Sequence, residues 1–225
     1  MAPAGMTTDY DPIAEQYQRS KLQPWRACIE SYTLMALLGD LSGQTVVDVA
    51  CGDGYYTRRI RAAGARRVYG VDLSPAMIAL GRAQERQHGL GIEYMVGDGR
   101  DLQIGAEPDV VAAAYFLNYA RDGAELGAMC GSIGRCLRAG GRFVAVNQNP
   151  GLDFRTAPSY RKYGFETTVG GGPWGESSPI TWAFYLDAGA FSIENYHLDP
   201  SVHEEVLRAA GFRDIRWHAP RLSPE

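Results

Sequence analysis

Short apolar runs alternate with amphipathic stretches along the first two thirds of the chain. Residues 45–50 form a β-branched, largely apolar run, which is typical of a buried parallel strand. Leu126, Met129, Ile133 and Leu137 recur at helical spacing, which predicts a helix that ends at Gly140. The elements predicted in this region are a helical segment over 8–38, strand 45–50, helix 55–63, strand 67–71, helix 75–88, strand 92–96, strand 109–114, helix 126–137 and strand 142–147.

The pattern changes after residue 147. Residues 148–178 are rich in Gly, Pro, Ser and aromatic residues, and residues 180–186 and 190–197 are predicted to form a hairpin. A helix over 200–210 and a strand over 213–218 follow. Strands that alternate with helices predict an α/β fold with a Rossmann-like, doubly wound, mostly parallel sheet. The hairpin is then a small insertion after the fifth strand.

Composition narrows the class of protein. The chain has 225 residues, 21% charged residues and a formal net charge of −4, so nothing in it indicates a nucleic-acid partner. No apolar run is long enough to span a membrane, and residues 1–8 lack the basic and apolar regions of a signal peptide. The four cysteines include no Cys-x-x-Cys pair. We expect a single cytoplasmic domain, monomeric or homodimeric, with no membrane or nucleic-acid partner.

Distinctive residues follow four of the predicted strands. Because parallel strands end at the same edge of a sheet, where α/β proteins bind ligands, these residues are expected to converge. Gly52 and Gly54 follow the first strand, Asp72 follows the second, and Asp98 follows the third. Tyr115 to Tyr119 follows the fourth. Each feature also has a plain structural interpretation, as a helix cap, a turn or edge packing.

The ligand expected at these strand ends is an adenosine without phosphates. Asp72 stands 20 residues after Gly52, where a carboxylate binds both hydroxyls of a ribose. The third glycine of a dinucleotide-binding loop is missing, because Tyr55, Tyr56 and Thr57 follow Gly54, and these bulky residues would obstruct a pyrophosphate at the helix N-terminus. S-adenosylmethionine (SAM) fits this pattern better than NAD. A NAD-dependent oxidoreductase stays open as the alternative of another class.

In these motifs the sequence resembles the class I SAM-dependent methyltransferases. The matching stretches are 46–54, 70–77, 97–98 and 137–143. The resemblance implies SAM as cofactor, S-adenosylhomocysteine (SAH) as product, and N-terminal lid helices over the site. The cofactor-binding residues that it implies are Arg26, Ala50, Gly52, Asp53, Gly54, Asp72, Leu73, Met77, Gly97, Asp98, Gly99 and Tyr115. Among these, Arg26 is expected to hold the SAM carboxylate and Asp98 to face the adenine.

The resemblance also divides the single domain. Residues 1–40 are expected to be lid helices, 41–147 the SAM-binding core, 148–198 a substrate cap with the hairpin, and 199–225 the last helix and strand. Tyr17 is expected to close over the sulfonium. Class I sheets usually continue beyond a sixth strand, so a chain without that continuation is expected to dimerise or to lose stability at an exposed strand edge.

Several stretches resemble the toxoflavin-type, azapteridine N-methyltransferases of natural-product pathways. They are 115–119, 147–150, 159–164 and 194–196. This resemblance implies N-methylation of a small heteroaromatic substrate, with Tyr17, Asn118 and Tyr119 as catalytic residues. The substrate-binding residues that we expect are Asn149, Tyr160, Tyr163, Trp174 and His197. Trp182 is a further candidate for the aromatic wall.

The acceptor atom stays open at this point. An O-methyltransferase would use His197 as its base, and a SAM-binding protein without transfer activity is a further alternative. No acidic cluster near the fourth and fifth strand ends has the pattern of a magnesium site. We therefore expect in-line displacement without a metal.

Overall fold

Five parallel strands form the central sheet of the computed structural model, which describes residues 8–187 and 189–224. They are β1 (Thr45–Val49), β2 (Arg67–Asp72), β3 (Ile92–Val96), β4 (Val110–Ala114) and β5 (Arg142–Val146). The spatial order is β3-β2-β1-β4-β5, so the order reverses between β1 and β4. This arrangement confirms the predicted doubly wound sheet and places its ligand-binding crevice at the β1 and β4 ends.

Helices cover both faces of this sheet. They are α1 (Ala14–Ser20), α2 (Tyr32–Leu38), α3 (Tyr55–Ala62), α4 (Pro75–His88), α5 (Gly123–Cys136) and α6 (Pro200–Ala209). Successive side chains of β1 point to opposite faces, so Val46 packs in one core with Leu34 while Val47 packs in the other with Leu126. A buried parallel strand therefore has apolar residues at both parities, as the sequence indicated.

The predicted helical segment over 8–38 is interrupted. A turn over 21–23 separates α1 from the next helical segment, which starts at Pro24 and is π-helical over Arg26–Ser31, because Pro24 has no N–H to continue the hydrogen bonds of α1. The interruption turns two cationic side chains inward. Lys21 and Arg26 retain only 7% and 2% of their accessible surface.

A second sheet follows the main one. It contains β6 (Phe165–Val169), β7 (Pro179–Leu186) and β8 (Gly189–Tyr196), all antiparallel, in the order β6-β7-β8. The β7–β8 hairpin was predicted, whereas β6 was not. The sheet contacts α1 and the turn Leu117–Tyr119, so it stands over the β4 end of the main sheet.

The predicted strand over 213–218 is wrong. This segment has no strand partner in the described part of the chain, where β5 pairs with β4 alone. Its contacts use side chains instead: the Trp217 indole N–H donates to Glu204 at 3.0 Å and its ring meets the His203 ring. The alternation of apolar and polar residues matches a strand, but a strand also needs a neighbouring strand with which to form hydrogen bonds.

The expectation that the chain has no signal peptide concerns residues 1–7, which lie outside the described residues. Within the part that is described, no helix has the length and apolar character needed to cross a membrane.

Candidate active site

Two non-glycine residues with left-handed backbones stand at the central strand ends. Ala50 follows β1 with φ of 55°, and Tyr115 follows β4 with φ of 66°. Hydrogen bonds to neighbouring strands hold both turns, from Cys51 N to Val71 O at 3.0 Å and from Tyr115 N to Val146 O at 2.7 Å. Such conformations cost roughly 1–3 kcal/mol each and concentrate at functional sites. Here both residues line the same cavity.

This cavity is the larger of two that adjoin at the strand ends, and is called the larger cavity below. It encloses about 800 Å³, including space open to solvent, and lies across the ends of β1, β2, β3 and β4. It collects most of the residues predicted to bind the cofactor, together with two of those predicted to be catalytic. These residues are Tyr17, Ala50, Gly52, Asp72, Leu73, Met77, Gly97, Asp98, Gly99, Tyr115 and Tyr119. The convergence expected from parallel strand ends therefore occurs.

Asp72 stands at the centre of this arrangement. Its carboxylate accepts backbone N–H bonds from Gly52 at 2.8 Å and Ser74 at 2.9 Å, so it joins the β1 and β2 loops. Burial raises the pKa of this carboxyl, and the two backbone bonds oppose the rise. Gly52 has φ of 56°, in the region that favours glycine, and a Cβ there would meet the Tyr17 ring and the Met77 sulfur.

Asp98 is already engaged by a cation. Its carboxylate accepts a bond from Arg100 Nη2 at 2.7 Å and caps the turn through Arg100 N at 2.9 Å. Burial would raise the pKa of Asp98, but the bonds from Arg100 outweigh it and hold the pKa below its ordinary value. The carboxylate therefore stays ionised at the cavity wall, as an acceptor for a ligand amino group.

Two predicted cofactor residues line neither this cavity nor the smaller one beside it. Asp53 is 2% exposed and accepts bonds from Gln18 at 3.0 Å and Arg58 at 3.3 Å. Gly54 has φ of 84° and precedes α3, and a Cβ there would collide with Tyr94. Both residues shape the loop rather than the cavity surface.

Arg26 faces the smaller cavity and is paired internally. Its guanidinium donates to Glu30 at 2.9 and 3.2 Å and to Ser20 O at 3.0 Å. Glu30 also accepts bonds from the Tyr56 and Tyr115 hydroxyls. The charge of Arg26, the cation predicted from the sequence, is therefore offset by the buried Glu30 carboxylate.

Lys21 is a second buried cation near the site, which the sequence analysis did not single out. Its Nζ lies 4.9 Å from the Tyr17 ring centroid, 5.9 Å from that of Tyr115, and 3.9 Å from Glu30. Tyr17 and Tyr115 line the larger cavity, so the ammonium lies directly behind its wall. Glu30 faces Arg26 more closely, at 2.9 Å, and the Lys21 charge also acts on the buried Asp48 carboxyl, where it opposes the rise in pKa that burial causes.

A smaller cavity of about 390 Å³ adjoins the larger one and shares Tyr17 and Tyr115 with it. It is enclosed by the second sheet and by the turn after β4. The lining is mostly aromatic and includes one predicted catalytic residue, Asn118: Tyr17, Trp25, Arg26, Tyr115, Asn118, Phe165, Trp182, Phe184, Ile193 and Asn195. Two adjoining cavities that share Tyr17 and Tyr115 in their walls suit the transfer of a group between two bound molecules.

Tyr10 and Asp11 hold the N-terminal segment over the larger cavity. The Tyr10 and Tyr119 hydroxyls form a hydrogen bond, and the Tyr10 ring contacts the Tyr17 ring edge-on at 5.0 Å. Asp11 accepts a bond from Ala76 N at 3.2 Å, beside the start of α4. This is the position expected of a lid.

The predicted substrate residues stand behind the cavity lining. Tyr160 stacks on Phe165 at 5.1 Å, and Tyr163 accepts the Trp25 indole N–H through its carbonyl at 3.1 Å. Trp174 packs on Phe154, and Asn149 accepts a bond from Gly151 N within its own turn. None of these four predicted residues lines either cavity.

His197 also lies outside both cavities. It stacks on Trp174 at 4.3 Å, and its Nε2 is 3.1 Å from an Asp199 oxygen. With Glu176 these two form the one group of three metal-ligating residues found among the described residues, with ligand atoms within 4.8 Å of one another. At this position His197 does not contact a molecule bound in either cavity.

The cavity suits a nucleoside without phosphates. Tyr55 and Tyr56 at the start of α3 are 8% and 3% exposed, pack in the core and line neither cavity. The larger cavity instead offers the Asp72 carboxylate, the apolar Leu73 and Met77 side chains, and Asp98. These groups match a ribose, an adenine ring and its amino group.

Comparison with known proteins agrees with this geometry. The sequence model of a methyltransferase domain matches residues 46–141. The chain is 29% identical over 179 residues to a ubiquinone/menaquinone biosynthesis C-methyltransferase of Rubrivivax gelatinosus, covering 79% of this chain and 66% of that protein. It is 24% identical over 221 residues to an N-demethylindolmycin N-methyltransferase of Streptomyces griseus, covering 93% and 90%.

A solved structure shows the same fold. The SAM-bound amino pentose methyltransferase of Micromonospora echinaspora superposes with a TM-score of 0.59 at 20% identity, covering 91% of this chain and 90% of that one. The matched domain and these relatives support a SAM-dependent methyltransferase with SAM as its cofactor. The relatives include both C- and N-methyltransferases, so the acceptor needs a separate argument.

Proposed function

We propose that the protein transfers a methyl group from SAM to a ring nitrogen of a small, flat heteroaromatic molecule of the natural-product type. The observation that carries the proposal is the aromatic smaller cavity, which opens behind the two tyrosines of the cofactor cavity. The resemblance of 115–119 and 159–164 to azapteridine N-methyltransferases supports the same substrate class. Residues 148–198 then form the substrate cap.

The cofactor position follows from the wall residues. Asp72 binds the ribose hydroxyls, and Asp98 accepts from the adenine amino group. Lys21 attracts the methionine carboxylate from behind the wall that Tyr17 and Tyr115 form, because its pairing with Glu30 at 3.9 Å is looser than that of Arg26 at 2.9 Å. Tyr17 and Tyr115 then border the sulfonium, whose positive charge their ring faces attract.

The reaction needs little beyond orientation. When bound, SAM supplies an electrophilic methyl group, and the acceptor nitrogen gains this group and releases its proton to solvent. Holding the two reactants in line supplies roughly 7–11 kcal/mol in favourable cases. The smaller cavity fixes the acceptor ring, while Tyr10, Tyr17 and Tyr119 cover the cofactor side. We propose that no metal takes part.

Incubation with methyl-labelled SAM and azapteridines tests the proposal. We expect a mass increase of one methyl group and an N-methyl carbon shift in NMR, unchanged by EDTA. An O-methyl product, or a product that needs a divalent cation, would contradict it. The O-methyltransferase alternative requires a base, and His197→Ala is expected to leave transfer intact because His197 lines neither chamber.

Replacing Lys21 tests the position of the methionine carboxylate. In Lys21→Met we expect SAH to bind about 10-fold more weakly, the effect of losing one charge-assisted contact. Calorimetric titration measures it. The matched control is 5′-methylthioadenosine, which lacks the amino acid and should bind both proteins alike. An equal loss for both ligands would mean that Lys21 supports the fold instead.

Tyr119→Phe tests the lid. This change removes the hydroxyl that bonds Tyr10, while the ring that lines the cavity stays. We expect turnover to fall about 10-fold and SAH affinity to change less than about threefold, since one hydrogen bond is worth roughly 1 kcal/mol. Tyr10→Phe should give the same split. A larger loss in SAH affinity than in turnover would contradict this role.

A further inference from the structure

Two buried N–H donors in the smaller cavity have no hydrogen-bond partner. They are Nδ2 of Asn118 and Nε1 of Trp182. Asn118 is 4% exposed and stands in the turn after β4, whereas Trp182 stands on β7 in the second sheet. The two donors therefore belong to different walls of one chamber.

Three other donors of this chamber are paired within the protein. The Trp25 indole N–H donates to Gln23 Oε1 and Tyr163 O, both at 3.1 Å. The Tyr115 hydroxyl donates to Glu30 at 2.6 Å, and Asn195 Nδ2 donates to Glu194 O at 3.1 Å. Because buried polar groups in folded proteins are nearly always paired, two unpaired donors in one cavity point to a ligand that pairs them.

We propose that Asn118 and Trp182 determine specificity, by donating to two hydrogen-bond acceptors on the edge of the methyl-accepting ring. This proposal rests on the proposed function, whose substrate it narrows. Each donor left buried and unpaired costs about 1–3 kcal/mol, which a ring with two suitably placed acceptors recovers on binding. Carbonyl oxygens and pyridine-type nitrogens are such acceptors.

Shape and surplus donors exclude other substrates. Phe165 lies 5.8 Å from Trp182 and 5.9 Å from Phe184, so the second sheet presents a continuous aromatic wall that favours a flat ring. The Arg26 guanidinium lies 5.6 Å from the Phe184 ring and, because it is paired with Glu30, adds N–H donors to this wall rather than a free charge. An amino sugar would bring hydroxyl donors and a positive charge into a chamber that already has surplus donors.

The chain contains a matched control for the test. Trp25 and Trp182 are both tryptophans that line the same chamber, but the Trp25 N–H is paired within the protein and the Trp182 N–H is not. Trp→Phe at either position shortens the ring system and removes one N–H. Only for Trp182→Phe should the loss of binding affinity depend on whether the ligand has hydrogen-bond acceptors.

The experiment measures binding to the SAH-saturated protein by calorimetry. The probes are quinazoline-2,4-dione, which has two carbonyl acceptors, indole, which is flat without an acceptor atom, and glucosamine. We expect the dione to bind at least 10-fold more tightly than indole, and glucosamine not to bind. Trp182→Phe and Asn118→Leu should each weaken the dione about 5- to 10-fold and indole less than twofold, whereas Trp25→Phe should weaken both equally.

Several results would overturn the proposal. They are equal affinity of the wild type for dione and indole, equal losses for both in Trp182→Phe, binding of glucosamine as tight as that of the dione, or no binding of any probe. Unchanged SAH affinity in the variants shows that they fold. If the dione binds with the expected variant effects but no ring nitrogen of any bound heterocycle is methylated from SAM, the donor pair stands and the proposed N-methylation fails.

Discussion

Asp72→Ala is expected to weaken SAH binding about 100-fold or more. In the proposed function this carboxylate accepts both ribose hydroxyls, and hydrogen bonds to a charged group are worth roughly 1.5–3 kcal/mol each. Asp72 also accepts bonds from Gly52 N and Ser74 N, so its loss loosens the two loops that form the floor of the cavity. Calorimetric titration with SAH measures the loss.

Asp72→Asn separates the two roles of this residue. An asparagine keeps one oxygen for the backbone N–H groups but lacks the second acceptor and the charge. We expect an intermediate loss of about 10-fold, with the unfolding temperature closer to the wild type than in Asp72→Ala. Near-wild-type SAH affinity in Asp72→Ala would mean that the ribose lies elsewhere.

The second large effect concerns the buried carboxyl of Asp48. Burial raises the pKa of Asp48 from 3.8 to about 7, although the Thr57 hydroxyl donates to it at 2.6 Å. Between these two pH values the folded protein holds a proton that the unfolded chain has released. The free energy of unfolding therefore falls as pH rises from about 4 to 7, by up to about 4 kcal/mol from this group, and levels off above 7.

Asp48→Asn should remove this dependence. Asparagine keeps the size and an acceptor for Thr57 but has no proton to exchange. We expect urea unfolding to show Asp48→Asn gaining stability relative to the wild type as pH rises from 4 to 7. Asp187→Asn, at an exposed site in the β7–β8 turn, should keep the wild-type slope. A difference between Asp48→Asn and wild type that stays constant with pH would contradict a raised pKa.

The cofactor cavity was largely predictable because its residues follow the strands directly. Gly52, Asp72 and Asp98 each come within a few residues of a strand end, and parallel strands bring those ends together whatever the loops do. The helix at Pro75–His88 was predictable for a similar local reason, since Ser74 caps it and Gly89 ends it with a left-handed residue.

The cation and the acceptor wall depended on long-range packing. Arg26 and Glu30 stand four residues apart, so their pairing on a helix could be read from the sequence. The burial of Lys21 beside the Tyr17 and Tyr115 rings depends on the fold. β6 lies in a polar and glycine-rich region, and its pairing with β7 brings Phe165 beside Phe184. The error at 213–218 has the same origin, because alternation does not reveal whether a partner strand exists.

The central claim is that the cavity at the strand ends binds an adenosine without phosphates and leads into an aromatic acceptor chamber. Titration of the protein with SAH, with NAD as the control, tests this claim most directly. The account predicts one SAH site per chain and no binding of NAD. Binding of NAD without binding of SAH would contradict the account, beginning with the interpretation of the loop from Gly52 to Gly54.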